Sequence, residues 1–222
     1  MDIIDITGLI FNDMWQHELP VKDFNHIVKK IELGGEVYNI DIFNNLNSIS
    51  GTHLEGIGKE GNSLLNNVSI EKLADIETYI LQISFKDLKV DKGKSCITIK
   101  DIKRAEKIEI PKNSAILIST GYGKKWESKD YIENGWYLEK DAAQYLLDKT
   151  PFLIGGDSPY WDFNHNDGNI YQLFIRSNIL LLYPCINLER IKNFKVKLTV
   201  LPLNISDLKL GCTARAAIED KN

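Results

Sequence analysis

The chain has 222 residues, 43% hydrophobic and 26% charged, the balance of an ordinary folded domain, which excludes a disordered chain, a collagenous fibre and a disulfide miniprotein. Its 27 basic and 31 acidic side chains leave a formal charge of −4, so neither nucleic acid nor an acidic membrane surface is expected as a partner.

Residues 3–6 and 38–43 read as strands from their alternating or β-branched apolar positions, and 75–83 and 95–99 read the same way. Residues 101–106 form a short helix with Thr98 or Lys100 near its start. The apolar run 114–120 is a strand ending at Gly121, where a turn is expected. Residues 139–148 space Ala142, Ala143, Tyr145, Leu146 and Leu147 as a helix does. A buried strand over 151–157 runs into Gly155-Gly156-Asp157, and a helix follows over 168–177. Strands over 179–183 and 194–203 complete the series. More strand than helix, in mixed order and with no linker or repeat, gives an α/β domain on a mixed sheet spanning 1–222.

The first fourteen residues are acidic where an export signal is basic, and the longest apolar run, 179–183, is far short of the about 20 residues of a membrane span. Cys96, Cys185 and Cys212 stand apart, odd in number and in no CxxC pair. They read as buried or incidental thiols of a reducing compartment, and a cytoplasmic protein is expected.

Two stretches carry chemistry. In Ser50-Gly51-Thr52-His53-Leu54-Glu55-Gly56-Ile57-Gly58, a glycine-punctuated loop, His53 and Glu55 lie two residues apart and point to one side if the backbone is extended. They then share a metal, act as a base and its orienting partner, or only satisfy nearby backbone groups. In residues 155–165 a strand ends on Asp157 and aromatic residues crowd a short loop around Tyr160, as a pocket wall or as a capped, packed turn. Trp15 belongs to such a pocket or to the core. Walker, nucleophile-elbow, dinucleotide and HExxH patterns are all missing from the sequence.

Six further matches stand in consistent order: Ile4-Asp5-Ile6-Thr7 with Asn12-Asp13-Met14-Trp15, then Gly51-Thr52-His53-Leu54-Glu55, Leu117-Ile118-Ser119-Thr120-Gly121-Tyr122, and Ala142-Ala143-Gln144-Tyr145-Leu146 with Leu153-Ile154-Gly155-Gly156-Asp157-Ser158-Pro159. Leu201-Pro202-Leu203 and Ala214-Arg215-Ala216 close the set. Together they resemble the Putative cyclase family, which includes bacterial kynurenine formamidases and isatin hydrolases. The second stretch falls on that family's metal motif, H-x-G-T-H-x-D-x-P-x-H. The resemblance implies a swivelling β/β/α fold, assembly as a homodimer or tetramer, and a divalent metal pair, zinc or manganese. Trp126, Tyr131 and Trp136 then either meet a neighbouring subunit or pack inside the monomer.

The motif's ligands are mostly replaced. Its first histidine position holds Ile49, its aspartate position Glu55 and its last histidine position Lys59. The later histidine and glutamate of the family, about twelve residues apart, fall on Gln172 and Pro184. The expectation is therefore a binuclear site largely lost, with no metal or a single weakly bound zinc or manganese, for which His53, Glu55 and His165 are the candidates. On this reading the chain is a divergent hydrolase or lyase acting on a small amide, lactam or cyclic carbonyl compound. His53 is the general base, Glu55 orients it or takes the proton, and Lys59 supplies positive charge. Trp15, Asp157, Tyr160 and Gln172 line the pocket. The alternative is an inactive relative that binds a small aromatic or acidic metabolite or serves as a partner subunit.

Overall fold

In the computed structural model, residues 2–16, 22–58, 61–91, 93–163 and 169–221 are described. The strands and helices in chain order are β1 (Asp2–Asp5), β2 (Asn25–Leu33), β3 (Glu36–Asn44), β4 (His53–Glu55), β5 (Ile76–Gln82), β6 (Lys89–Asp91), β7 (Lys94–Ile97) and α1 (Ile99–Ala105). There follow β8 (Ala115–Ser119), β9 (Trp136–Leu138), α2 (Lys140–Asp148), β10 (Leu153–Gly156), α3 (Asn169–Arg176), β11 (Leu180–Tyr183), β12 (Lys195–Pro202) and β13 (Gly211–Asp220).

The strands β5, β8, β10 and β11 lie parallel side by side. Parallel neighbours need a crossover, and α1, α2 and α3 lie on the three crossovers. Thr98 starts α1 with a capping box: its hydroxyl accepts from Asp101 N–H, and the Asp101 carboxylate accepts from Thr98 N–H at 3.0 Å. The antiparallel strands β12, β13 and β4 continue the sheet. Because β4 pairs with both β11 and β13, the sheet closes into a barrel, with β1 added along β13. The closure is tight at Gly211, where a Cβ would stand 2.4 Å from the Leu54 carbonyl oxygen.

Alternating side chains build two apolar regions, one on each side of the sheet. Ile80, Leu117, Leu153, Leu182, Leu198 and Ile218 fill the barrel interior. Leu81, Ile118, Ile154 and Leu181 face outward onto Ile102, Leu146 and Phe174 of the helices. Strands buried on both faces read as unbroken apolar runs, which is why β8, β10 and β11 were legible.

Several elements depart from the sequence reading. The segment around His53 is strand, not loop. The strand β13 is rich in alanine, a poor strand former, and its place between β12 and β4 decides its conformation. Trp126, Tyr131 and Trp136 are buried inside this chain, so they are not a subunit contact. All three cysteines are buried and unpaired. Among the described residues no helix is long and apolar enough to cross a membrane.

Candidate active site

The candidate site lies on the outer face of β4. Leu54 points into the barrel, so His53 and Glu55 project together to the opposite side. The flanking strands fix them: His53 is in register with Tyr183 and Thr213, and Glu55 with Leu181 and Gly211. Gly51, at φ +68°, turns the chain so that its carbonyl meets His53 Nδ1 at 2.8 Å. That contact requires a hydrogen on Nδ1, because a carbonyl only accepts.

The other imidazole nitrogen, Nε2, lies 2.8 Å from Glu55 Oε1. Tyr171 donates to Glu55 Oε2 at 2.5 Å and Tyr183 donates to Oε1 at 3.0 Å. One proton must sit on the Nε2–Oε1 contact. Burial pushes the Glu55 carboxyl up, but the His53 imidazole and the two phenol donors outweigh it and hold the carboxyl below its ordinary value. The proton therefore belongs to the imidazole, and the pair is an imidazolium–carboxylate ion pair with no net charge. Burial and the Glu55 charge push Tyr171 and Tyr183 up, so both phenols stay O–H donors. Burial is complete for His53 and nearly so for Glu55, at 2% exposed, while Tyr171 is half-buried.

Around this network the Tyr183 ring packs 4.7 Å from His53 and 5.2 Å from Trp161. The Trp161 indole N–H is buried and has no hydrogen-bond partner among the described residues. Asp162 accepts from the N–H groups of Ile170 and Tyr171 at 2.7 and 3.0 Å, which caps the start of α3 and fixes where Tyr171 points.

The expected pocket residues are only partly brought together. Asp157 accepts from five donors: the N–H groups of Thr120, Gly121 and Tyr122, the Thr120 hydroxyl and the Trp136 indole. Burial pushes its carboxyl up, and these donors pull against it. Only the ionised form accepts at all five contacts, so this carboxylate is fully used inside the fold. Trp15 is buried and donates to the Trp126 carbonyl at 2.7 Å. The Tyr160 hydroxyl donates to the backbone of Glu133 and Gly135, and burial raises it to about 12. Gln172 is exposed. The candidates Lys59 and His165 lie outside the described residues.

His53 does not have the geometry of a general base, because neither ring nitrogen has a free lone pair. From the two later segments it is Tyr171 and Tyr183 that reach Glu55, each one residue before the positions aligned above. Their spacing of twelve was visible in the sequence, but a phenol is not a ligand type that a search for metal donors retains. Among the described residues the donors brought together, one imidazole and one carboxylate, are too few for a metal site. Glu55 accepts three hydrogen bonds, His53 Nε2 carries a proton, and no cluster of three or more His, Cys, Asp or Glu side chains suited to a metal is found among the described residues. Burial also pushes the Cys185 thiol up, beyond the range of a nucleophile.

Residues 4–163 match the model of the family described as Putative cyclase. No curated protein matches the chain by sequence. Among solved structures, isatin hydrolase A from Labrenzia aggregata, bound to benzyl benzoate, superposes with a TM-score of 0.78 at 16% identity, covering 99% of this chain and 94% of that one. An isatin hydrolase bound to the product analogue thioisatinate gives 0.74 at 20% identity, covering 99% and 93%. A structure described as a predicted metal-dependent hydrolase from Bacillus stearothermophilus gives 0.74 at 16% identity, covering 99% and 98%. At these identities the likeness is one of fold.

Proposed function

The chain belongs to the Putative cyclase family, and on that premise we propose that it is a divergent hydrolase or lyase acting on a small amide, lactam or cyclic carbonyl compound. Its acid–base work rests on Glu55, paired with His53, in place of a binuclear metal centre. The observation that supports this reading is the closed network of His53, Glu55, Tyr171 and Tyr183, on the strand that the sequence resemblance aligns with the family's metal motif.

For hydrolysis, a water oxygen attacks the carbonyl carbon while Glu55 takes the water's proton. The carbon–nitrogen bond then breaks and the proton passes to the departing nitrogen. The His53 imidazolium keeps Glu55 in place and balances its charge. Tyr171, the half-buried donor, is the group that substrate displaces from Oε2. A carboxylate held below its ordinary value is a weak base, so turnover is slow relative to an enzyme with a metal-bound hydroxide. The Trp161 N–H supplies a buried donor in want of an acceptor, suited to a substrate oxygen.

Two probes test this, isatin as a cyclic keto-amide and an N-formyl arylamine as an open amide, each assayed in excess chelator. Retained turnover is expected, falling by about 10²–10⁴-fold in Glu55→Gln. Trp161→Phe is expected to raise KM about 5–10-fold, the loss of one hydrogen bond, without lowering stability. Loss of all turnover in chelator overturns the reading.

A second reading has its own support, since every polar atom of the network is already satisfied internally. In that case the protein is an inactive relative that binds a small aromatic or acidic metabolite. Saturable binding of the probes with no turnover by the wild type selects it.

A further inference from the structure

Tyr171 is held at both ends by buried carboxylates. Its phenol donates to Glu55 Oε2 at 2.5 Å, and its backbone N–H donates to Asp162 Oδ2 at 3.0 Å. Glu55 and Asp162 are 2% and 5% exposed. The other oxygen of Asp162, Oδ1, accepts from Ile170 N–H at 2.7 Å. Both oxygens are thus spent on the first turn of α3, whose N–H groups have no partner within the helix and favour a negative charge. Asp162 is anchored from its other side, because the carbonyl of Trp161 before it accepts from Leu138 N–H of β9 at 3.1 Å.

The two phenols on Glu55 differ in what holds them. Tyr183 lies on β11, opposite His53 in the register of the barrel sheet, and is buried. Tyr171 lies on α3, a helix of eight residues outside the sheet, and is half-buried. The buried side chains of that helix are Ile170 and Phe174, and Phe174 meets the Trp161 ring edge-on at 5.4 Å. Apolar packing is non-directional. The two hydrogen bonds to Asp162 are directional, and they fix the rotation of the first turn. Burial and the Glu55 charge push the Tyr183 phenol up, and the Asp162 charge adds to them, which places Asp162 beside the network.

We propose that Asp162 is a positioning residue for Glu55: through the first turn of α3 it holds the Tyr171 phenol over Oε2, and so sets how readily a substrate reaches that oxygen. This rests on the acid–base role proposed for Glu55. Loosening the turn removes a hydrogen bond that the substrate otherwise has to displace, so KM falls. A carboxylate relieved of one donor is also the stronger base, so kcat does not fall. Damage spreading from a misplaced helix has the opposite sign, raising KM and lowering kcat together.

Two readouts test this. The first is fluorine NMR of a fluorotyrosine placed at position 171, which follows the phenol without turnover. Asp162→Ala is expected to move the resonance toward that of the urea-unfolded chain. Asp162→Asn, as good a helix cap as Asp, is expected to leave it in place, and Asp162→Ser, a shorter acceptor, to fall between. The second is turnover of isatin in excess chelator. Asp162→Ala and Tyr171→Phe are each expected to lower KM about 5–10-fold, the release of one hydrogen bond, and the double variant no further than either alone. Asp162→Ser carries both comparisons where the alanine variant does not fold. An unmoved resonance in Asp162→Ala, additive effects on KM, or a KM that stays or rises in Asp162→Ala overturns the proposal. A wild type without turnover overturns the role of Glu55 instead, and the resonance alone then decides that of Asp162.

Discussion

Replacing His53 by alanine is expected to lower folding stability by about 3–5 kcal/mol, the cost of leaving one partner of a buried ion pair without the other. In urea this reads as a lower midpoint with an unchanged slope. Glu55 keeps the two tyrosine donors but loses the imidazolium, which both neutralises it and donates to it. The pH dependence follows from the same pair. In the wild type the Glu55 carboxyl is held below its ordinary 4.5. Its contribution is therefore complete above that value and is lost as pH falls through the lower, folded value. In His53→Ala the opposing effect of burial is left dominant, and the carboxyl moves above its ordinary value. The variant then regains stability as pH falls through its raised value toward 4.5, and the wild type loses stability below 4.5, so the gap between them narrows on acidification from the variant's raised value downward. A gap independent of pH contradicts the assignment of an ionised, paired Glu55.

Asp157→Ala is expected to be at least as damaging, losing about 4 kcal/mol or more. Five buried donors lose their acceptor, and each stranded donor costs about 1–3 kcal/mol before water or rearrangement relieves part of it. Such a loss approaches the whole stability of many domains. Asp157→Asn keeps one acceptor oxygen and turns an N–H toward the other donors, for an expected loss of about 2–4 kcal/mol. Urea denaturation followed by tryptophan fluorescence measures both, since the Trp136 indole is one of the five donors. The residue also supports the site at a distance. It fixes the turn after β8 and its carbonyl accepts from Tyr131, at the end of the strand beside β11. An Asp157→Asn variant as stable as the wild type would contradict this role.

The sequence made the parallel strands and the helices legible because unbroken apolar runs and helical spacing are local signals. The strand β13 and the three-residue strands β4 and β9 were not, because their conformation comes from neighbouring strands, in the closed sheet for β13 and β4 and along β7 for β9. At the site, the pairing of His53 with Glu55 followed from extended geometry alone. What could not be read was the state of the pair. The Gly51 carbonyl fixes the tautomer of His53, and Tyr171 and Tyr183 arrive from segments more than a hundred residues away. Asp157 looked like a pocket carboxylate because it ends a strand. The structure instead spends it on the turn and indole around it, a distinction that depends on tertiary contacts absent from any local pattern.

The proposed function rests on the buried His53–Glu55 pair and its two phenol donors, on the strand that the sequence resemblance aligns with a metal motif. The most direct test is the metal content of the untagged protein, purified without chelator and measured by mass spectrometry alongside turnover of isatin. The account predicts substoichiometric zinc and manganese, with turnover unchanged when either is added. One or two bound equivalents, with activity that follows occupancy, would contradict it.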